Sequence, residues 1–413
     1  MRKTAAALAL AAALYSPAPA QAADVVLDWN TIAIGVPAGS PFNQARVVAA
    51  TQLAVFEAVN AILGGYERYL DNPIVAPPGA SVDAAVITAA HDVLAGLVPG
   101  SVGMLDARRD SALALIPDGS AKSAGISVGA AAAAAMLANR ANDGSSPPAS
   151  YLPESSDPYQ WQLTGGGLPG GCPASGGVFA NWPDVKTFGI ADAAEFRAGP
   201  PPSLNSPQYA RDFNEVKRLG RNTSTERSQE RSDNVRFYAA TSPAYIMNMA
   251  ARQIAAAQGR SVAENARALA LINMAISDAA VASFATKYHY KTWRPETAIH
   301  YADGDMTWVP LIPAPCFPSY ASNHASLSSG GAEVLRRLYG EGEHTITITN
   351  PAFPSMTYHY TEFKQILNDI SDARVLGGIH FRFDQDAGER LGRAVGTAVY
   401  KGNLRATTGG GSN

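Results

Sequence analysis

The chain has 413 residues, 46% hydrophobic and 16% charged, which is ordinary for a globular protein and enough to bury a large core. Its formal net charge is −3, with no basic block and no basic-aromatic stripe, which argues against nucleic acid as a partner. Two cysteines, Cys172 and Cys316, make neither a disulfide scaffold nor a zinc-binding spacing.

At the N-terminus, Arg2 and Lys3 precede the apolar run TAAALALAAALY, and Ala20–Ala22 reads AQA, a small-x-small cleavage site. This pattern predicts a signal peptide over 1–22, with cleavage near Ala22 and export to the periplasm or beyond. No later segment is read as a transmembrane helix, so the mature chain is expected to have no membrane span. An oxidising compartment permits a Cys172–Cys316 disulfide, although nothing in the sequence shows that the two meet.

Residues 23–143 form an N-terminal helical part. RVVAATQLAVFEAVNAIL, VDAAVITAAHDVLAGLV and SAKSAGISVGAAAAAAMLANRA all carry apolar residues at helical spacing. Residues 144–206 are rich in Gly, Pro and Ser and read as one long loop that wraps across the helices. Residues 207–403 form a C-terminal helical part, with AENARALALINMAISDAAVASFATKYHY its longest apolar helix. HTITIT at 344–349 alternates as a strand does, but it is short and has no evident partner. The tail 404–413 is expected to be disordered. The fold class is all-α, built from helix bundles. Oligomeric state is not legible.

Three clusters in the last third carry unusual chemistry. In KYHYKTWRP, Lys287 and Arg294 are seven apart, which on a continuous helix returns almost to the starting angle, with Lys291 near the same stripe. Pro295 disfavours helix at Arg294 and puts that arginine at a helix end. In SNHAS, Ser322 or Asn323 caps a helix that His324 enters, where free N–H groups and a partial positive charge suit an anion. In RVLGGIHFRFD, Gly377 and Gly378 break the helix so that Arg374 and His380 converge, and Asp384 stands four after His380, placed to fix its tautomer. Separately, the clusters read as a basic stripe, a helix cap and a surface ion pair. Together they supply what a tetrahedral oxyanion needs: bidentate arginine donors, a lysine charge, a hydroxyl and helix-start amides.

Lys-x6-Arg-Pro, Ser-x-His and Arg-x5-His-x3-Asp, in this order, resemble the motifs of the type 2 phosphatidic acid phosphatase and vanadium-dependent haloperoxidase superfamily. VVLDWN, AVFEAVNAI and LINMAISDAAVASFATKYHYKTWRP are similar to its secreted bacterial haloperoxidase-like branch. The resemblance implies a four-helix-bundle core. It also implies that Lys287, Arg294, Arg374 and Ser322 hold the oxygens of vanadate or phosphate, with Asn323 beside them. His380 matches the vanadium ligand of the haloperoxidases and the nucleophile of the phosphatases. His324 matches the acid-base histidine, and Asp384 the residue that orients His380. The sequence departs from the family's Pro-Ser-Gly-His, reading Ala321-Ser322-Asn323-His324, which adds a side chain where glycine is usual. Phe317 resembles the phenylalanine of fungal chloroperoxidase-type sites and equally reads as core packing.

The implied activity is oxidation of halide by hydrogen peroxide at a histidine-ligated vanadate. An acid phosphatase acting on a phosphoester through phosphohistidine fits the same residues. So does an exported phosphate- or vanadate-binding protein without catalysis, a reading motivated by Asn323 and the long loop.

Overall fold

Serine and proline set most of the helix starts. A computed structural model describes residues 24–165 and 171–407, so the expected signal peptide lies outside the described residues. The N-terminal half contains α1 (Val25–Gly35), α2 (Pro41–Leu63), α3 (Val82–Leu97), α4 (Val102–Leu113) and α5 (Ser120–Arg140). After the loop come α6 (Pro207–Leu219), α7 (Gln229–Ala239), α8 (Pro243–Ala257), α9 (Val262–Tyr290), α10 (Pro295–Asp303), α11 (Asn323–Tyr339), α12 (Phe363–Leu376) and α13 (Arg382–Gly402). Ser40, Ser206 and Ser242 cap helices whose first residue is proline, and Ser261 forms a reciprocal capping box with Glu264. The all-α expectation is met.

The core is organised around α9, which is buried without interruption from Ala268 through Lys287. Helices α2, α11 and α13 pack against it, and α2 in turn carries α3 and α5. Among the described residues, three helices, α2, α5 and α9, have the length and apolarity to cross a membrane; α9's apolar window is wholly buried inside the protein and most of α2's is, whereas a third of α5's is. The apolarity of α2 and α9 is thus that of a protein core.

Helices α11 and α13 approach closely along a seam of small residues. A Cβ added at Gly388, Gly392 or Gly396 would lie 2.6, 2.1 or 2.6 Å from the backbone oxygen of Ser322, Ser326 or Gly330. These matched positions show that the two helices run in parallel, so both begin at the same end of the molecule.

Three features differ from the sequence expectations. First, HTITIT does have a partner. Ile346–Thr349 pairs antiparallel with Thr357–Tyr360, whose TYHY alternates as a half-buried strand does but is only four residues long. Second, residues 404–407, expected in a disordered tail, are tied down. Glu67 N donates to Arg405 O, Thr407 N donates to Gly65 O, and Leu404 is buried. Third, the long loop carries structure of its own, with short 3₁₀ turns at Trp182–Asp184 and Ala193–Phe196. The buried Asp278 carboxylate of α9 pins it by accepting from the N–H groups of Phe188 (2.7 Å), Gly189 (2.6 Å) and Ile190 (3.1 Å). Cys172 is disulfide-bonded to Cys316, which fastens the loop to the segment leading into α11.

Candidate functional site

Five segment ends and one irregular run meet at one place: the end of α9, the starts of α10, α11 and α13, the turn after α12, and residues 316–322. Arg294 is the residue before α10, Ser322 caps α11, and Phe381 precedes α13. Three helix N-termini, with their positive dipole ends, therefore lie at one region. Ser322 N donates to Asp384 O (3.0 Å), tying the start of α11 to that of α13.

Lys287 lies in the last turn of α9 and is fully buried. Its Nζ donates to Pro318 O (2.8 Å) and Ser319 O (2.6 Å). Burial, then Arg294, push its pKa well below that of an ordinary lysine, and Asp384 opposes them. The helix ends at Tyr290, so the argument from seven helical steps fails: Arg294 reaches the site from beyond the helix. Lys291 does not join it. That residue turns the chain in the left-handed region, and its Nζ donates outward to Glu154 Oε1 (2.5 Å).

Arg294 is also fully buried, and its guanidinium is partly committed. Nε donates to Phe317 O (3.0 Å), and Nη1 donates to Ile379 O (2.9 Å) and His380 Nε2 (3.0 Å), while Nη2 has no partner. Arg374, on the last turn of α12, holds Tyr238 O through Nη1 (3.4 Å) and leaves Nε without a partner. Burial lowers their pKa values to about 9 and about 10, and both remain cationic at neutral pH. The Phe317 ring lies 5.3 Å from Lys287 Nζ and 5.1 Å from Arg294 Cζ, and it also packs against Phe42, Phe179 and Phe284. It is core and site wall at once.

His380 follows the break at Gly377 and Gly378, the latter at φ +81°. It lies before α13 rather than on it, so it and Asp384 do not share a helical face. They meet because Asp384 is a capping residue. Its Oδ2 accepts from Ser319 Oγ (2.6 Å), His380 Nδ1 (2.8 Å) and Phe381 N (3.1 Å). A carboxylate against Nδ1 and an arginine donor against Nε2 assign the tautomer. Nδ1 carries the proton and the Nε2 lone pair accepts from Arg294 Nη1. Burial chiefly, with Arg294 and the neighbouring cations, holds His380 neutral well below its usual titration range.

Ser322 Oγ accepts from Ala325 N (3.4 Å). Asn323 is 3% exposed; its Oδ1 accepts from Ser283 Oγ (2.6 Å), and its Nδ2 has no partner. Its backbone is ordinary helix and makes no use of asparagine's tolerance of unusual angles. His324 is half-buried and makes no side-chain hydrogen bond among the described residues. Burial, then Arg374 and Lys287, push its pKa well down.

Two residues that the motifs do not name belong to this group. Ser319 braces Asp384 and is fully buried; it sits three residues before Ser322, in the same conspicuous stretch. Ser283 braces Asn323 and lies four residues before Lys287 on α9, a helical spacing that links the two positions. Among the described residues, no cluster of three or more His, Cys, Asp and Glu could cage a bare metal ion. The arrangement instead offers three buried cations and one buried carboxylate, an excess of positive charge that an anion neutralises.

Residues 267–409, which contain all three motifs, match the family described as the VCPO second helical-bundle domain. Among solved structures, the chain is similar to a bacterial vanadium-dependent iodoperoxidase, with TM-score 0.78 and 24% identity over 93% of this chain and 97% of that one. It is also similar to a bacterial vanadium-dependent chloroperoxidase in its apo form, with TM-score 0.71 and 19% identity over 86% and 92% of the two chains. The holo form gives TM-score 0.70 and 19% identity over 93% and 94%. No curated protein matches. The resemblance read from the three motifs is thus borne out, and the fold is that of the bacterial vanadium-dependent haloperoxidases.

Proposed function

We propose that the chain is an exported, vanadate-dependent haloperoxidase-like enzyme, in which hydrogen peroxide, halide and a proton give hypohalous acid and water. Halide loses two electrons in this reaction and peroxide gains them. The observation that carries the reading is the set of buried donors without partners among the described residues, Arg294 Nη2, Arg374 Nε and Asn323 Nδ2, together with His380, whose Nδ1 is held by Asp384 and whose Nε2 accepts from Arg294 Nη1. Such a set fits a tetrahedral oxyanion with one protein ligand. The solved chains of the same fold are named as vanadium-dependent iodo- and chloroperoxidases, which favours vanadate over phosphate as the resident anion.

Lys287, Arg294, Arg374 and Ser322 would hold the anion's oxygens, with His380 as its protein ligand. Bound vanadate would supply the Lewis acid that polarises peroxide for attack by halide. Asp384 keeps the proton on Nδ1 of His380, so Nε2, which accepts from Arg294 Nη1, is the ring atom that would donate electrons to the anion in exchange for that bond. The buried cations compensate charge that develops on peroxide oxygen, in a setting where little water competes. His324, neutral and without a hydrogen-bond partner, is free to take a proton from incoming peroxide and return it to the departing oxygen. The Cys172–Cys316 bond supports the exported part of the reading, since such a bond persists in an oxidising compartment.

The deciding measurement is a paired assay on one preparation, with and without vanadate, of halide oxidation by peroxide and of phosphoester hydrolysis. Vanadate-dependent halide oxidation is the expected result. Hydrolysis alone, with labelled phosphate trapped on His380, would replace the reading with an acid phosphatase. Anion binding with neither activity would make the chain a binding protein.

A further inference from the structure

The resembled motif has glycine between its serine and histidine, and this chain has Asn323. Two observations bear on what that side chain does. The residue is 3% exposed, yet its Nδ2 has no partner among the described residues. A buried amide nitrogen left bare is costly, and nature retains one when something outside the chain completes it. The other end of the amide is held. Ser283 Oγ lies 2.6 Å from Asn323 Oδ1 and 3.4 Å from Ala321 O, and its single proton goes to the nearer acceptor. Ser283 therefore takes the amide oxygen on the α9 side and leaves the two Nδ2 hydrogens directed away from it. Arg294 Nη2 and Arg374 Nε are likewise donors without a partner among the described residues, Asp384 Oδ1 is the acceptor left over, and an anion is a partner that satisfies the three donors and suits the cationic setting.

We infer that the Asn323 amide, oriented by Ser283, is an additional hydrogen-bond donor to the bound oxyanion and raises the site's affinity for it. The inference rests on the anion-site reading above. Its physical content is that the side chain adds to the backbone amides at the start of α11 without replacing them. The opposite orientation would set a carbonyl oxygen against the anion and weaken binding, so the sign of the effect reads the orientation directly.

The test measures dissociation constants for vanadate, and separately for inorganic phosphate, by titration calorimetry on the full chain. Asn323→Gly keeps the backbone N–H and removes only the amide. It is expected to weaken vanadate binding by about 10- to 100-fold, the range for a hydrogen bond to a charged group. Ser283→Ala, which frees the amide to rotate, is expected to weaken it by a smaller factor. Asn323→Asp sets a carboxylate in place of the amide and is expected to abolish binding. Melting curves of the anion-free variants verify that each is folded. Vanadate binding by Asn323→Gly as tight as, or tighter than, wild type overturns this inference and leaves the site reading intact. A wild-type protein that binds neither vanadate nor phosphate overturns both.

Discussion

At the scale of single residues, the site depends on who holds whom. Ser319 illustrates this, since it contributes nothing to the motif yet supplies the shortest hydrogen bond to Asp384. Ser319→Ala leaves that buried carboxylate with two donors in place of three. Halide oxidation is expected to fall by roughly tenfold, the scale of one lost bond to a charged group, with little change in melting temperature. Steady-state kinetics on the vanadate-loaded protein check it. Protonation gives a second prediction. Burial lowers the pKa values of His324 and His380 well below 6.5, so the unfolded chain takes up two protons that the folded one refuses. Stability is then complete above that pH and declines as pH falls below it, by up to about 1.4 kcal/mol per pH unit for each histidine. Asp384 works the other way. Burial raises its pKa to about 6 from 3.8, so its contribution is present at low pH and is lost as pH rises through about 6. The anion-free protein should melt at lower temperature at pH 5 than at pH 7, and Asp384→Asn should steepen that decline. Melting curves across this range decide the point.

At the scale of elements, helix-to-helix distance sets the geometry of the pocket. The parallel seam of Gly388, Gly392 and Gly396 brings α13 close enough to α11 for their starts to be bonded through Ser322 and Asp384. Gly392→Ala puts a methyl carbon 2.1 Å from Ser326 O and is expected to cost about 1–3 kcal/mol or more through forced separation. Gly402→Ala, with open space around it, is the matched control and should leave the melting temperature near wild type. Elements were the most legible level in the sequence, because apolar periodicity is a local signal. Asp384 was readable as the partner of His380, but not by the route that joins them, because helix periodicity says nothing about a capping bond. Lys287 and Arg294 were paired by a helix that stops at Tyr290, and the same error drew in Lys291. Ser283 and Ser319 were passed over because a buried serine looks like any other until its partner is placed. The strand Thr357–Tyr360 is not legible in the sequence because it is only four residues long, although its tyrosines alternate with Thr357 and His359.

At the scale of the whole molecule, the Cys172–Cys316 bond is the link between the long loop and the site. Cys316 immediately precedes Phe317, whose carbonyl holds Arg294 and whose ring faces two of the buried cations. The bond closes a span of 144 residues, for which loss typically costs about 2–5 kcal/mol. Cys172→Ser should therefore lower the melting temperature and also weaken vanadate binding, because the carbonyl that positions Arg294 loses its anchor. Calorimetry beside melting curves separates the two effects. The same bond has a consequence in time. As the chain is made, Cys172 emerges long before Cys316, and the residues from Arg374 to Asp384 emerge later still. The N-terminal helices and the loop are thus available to fold while the pocket does not yet exist. Under the proposed reading, an oxyanion would be captured only by the finished chain.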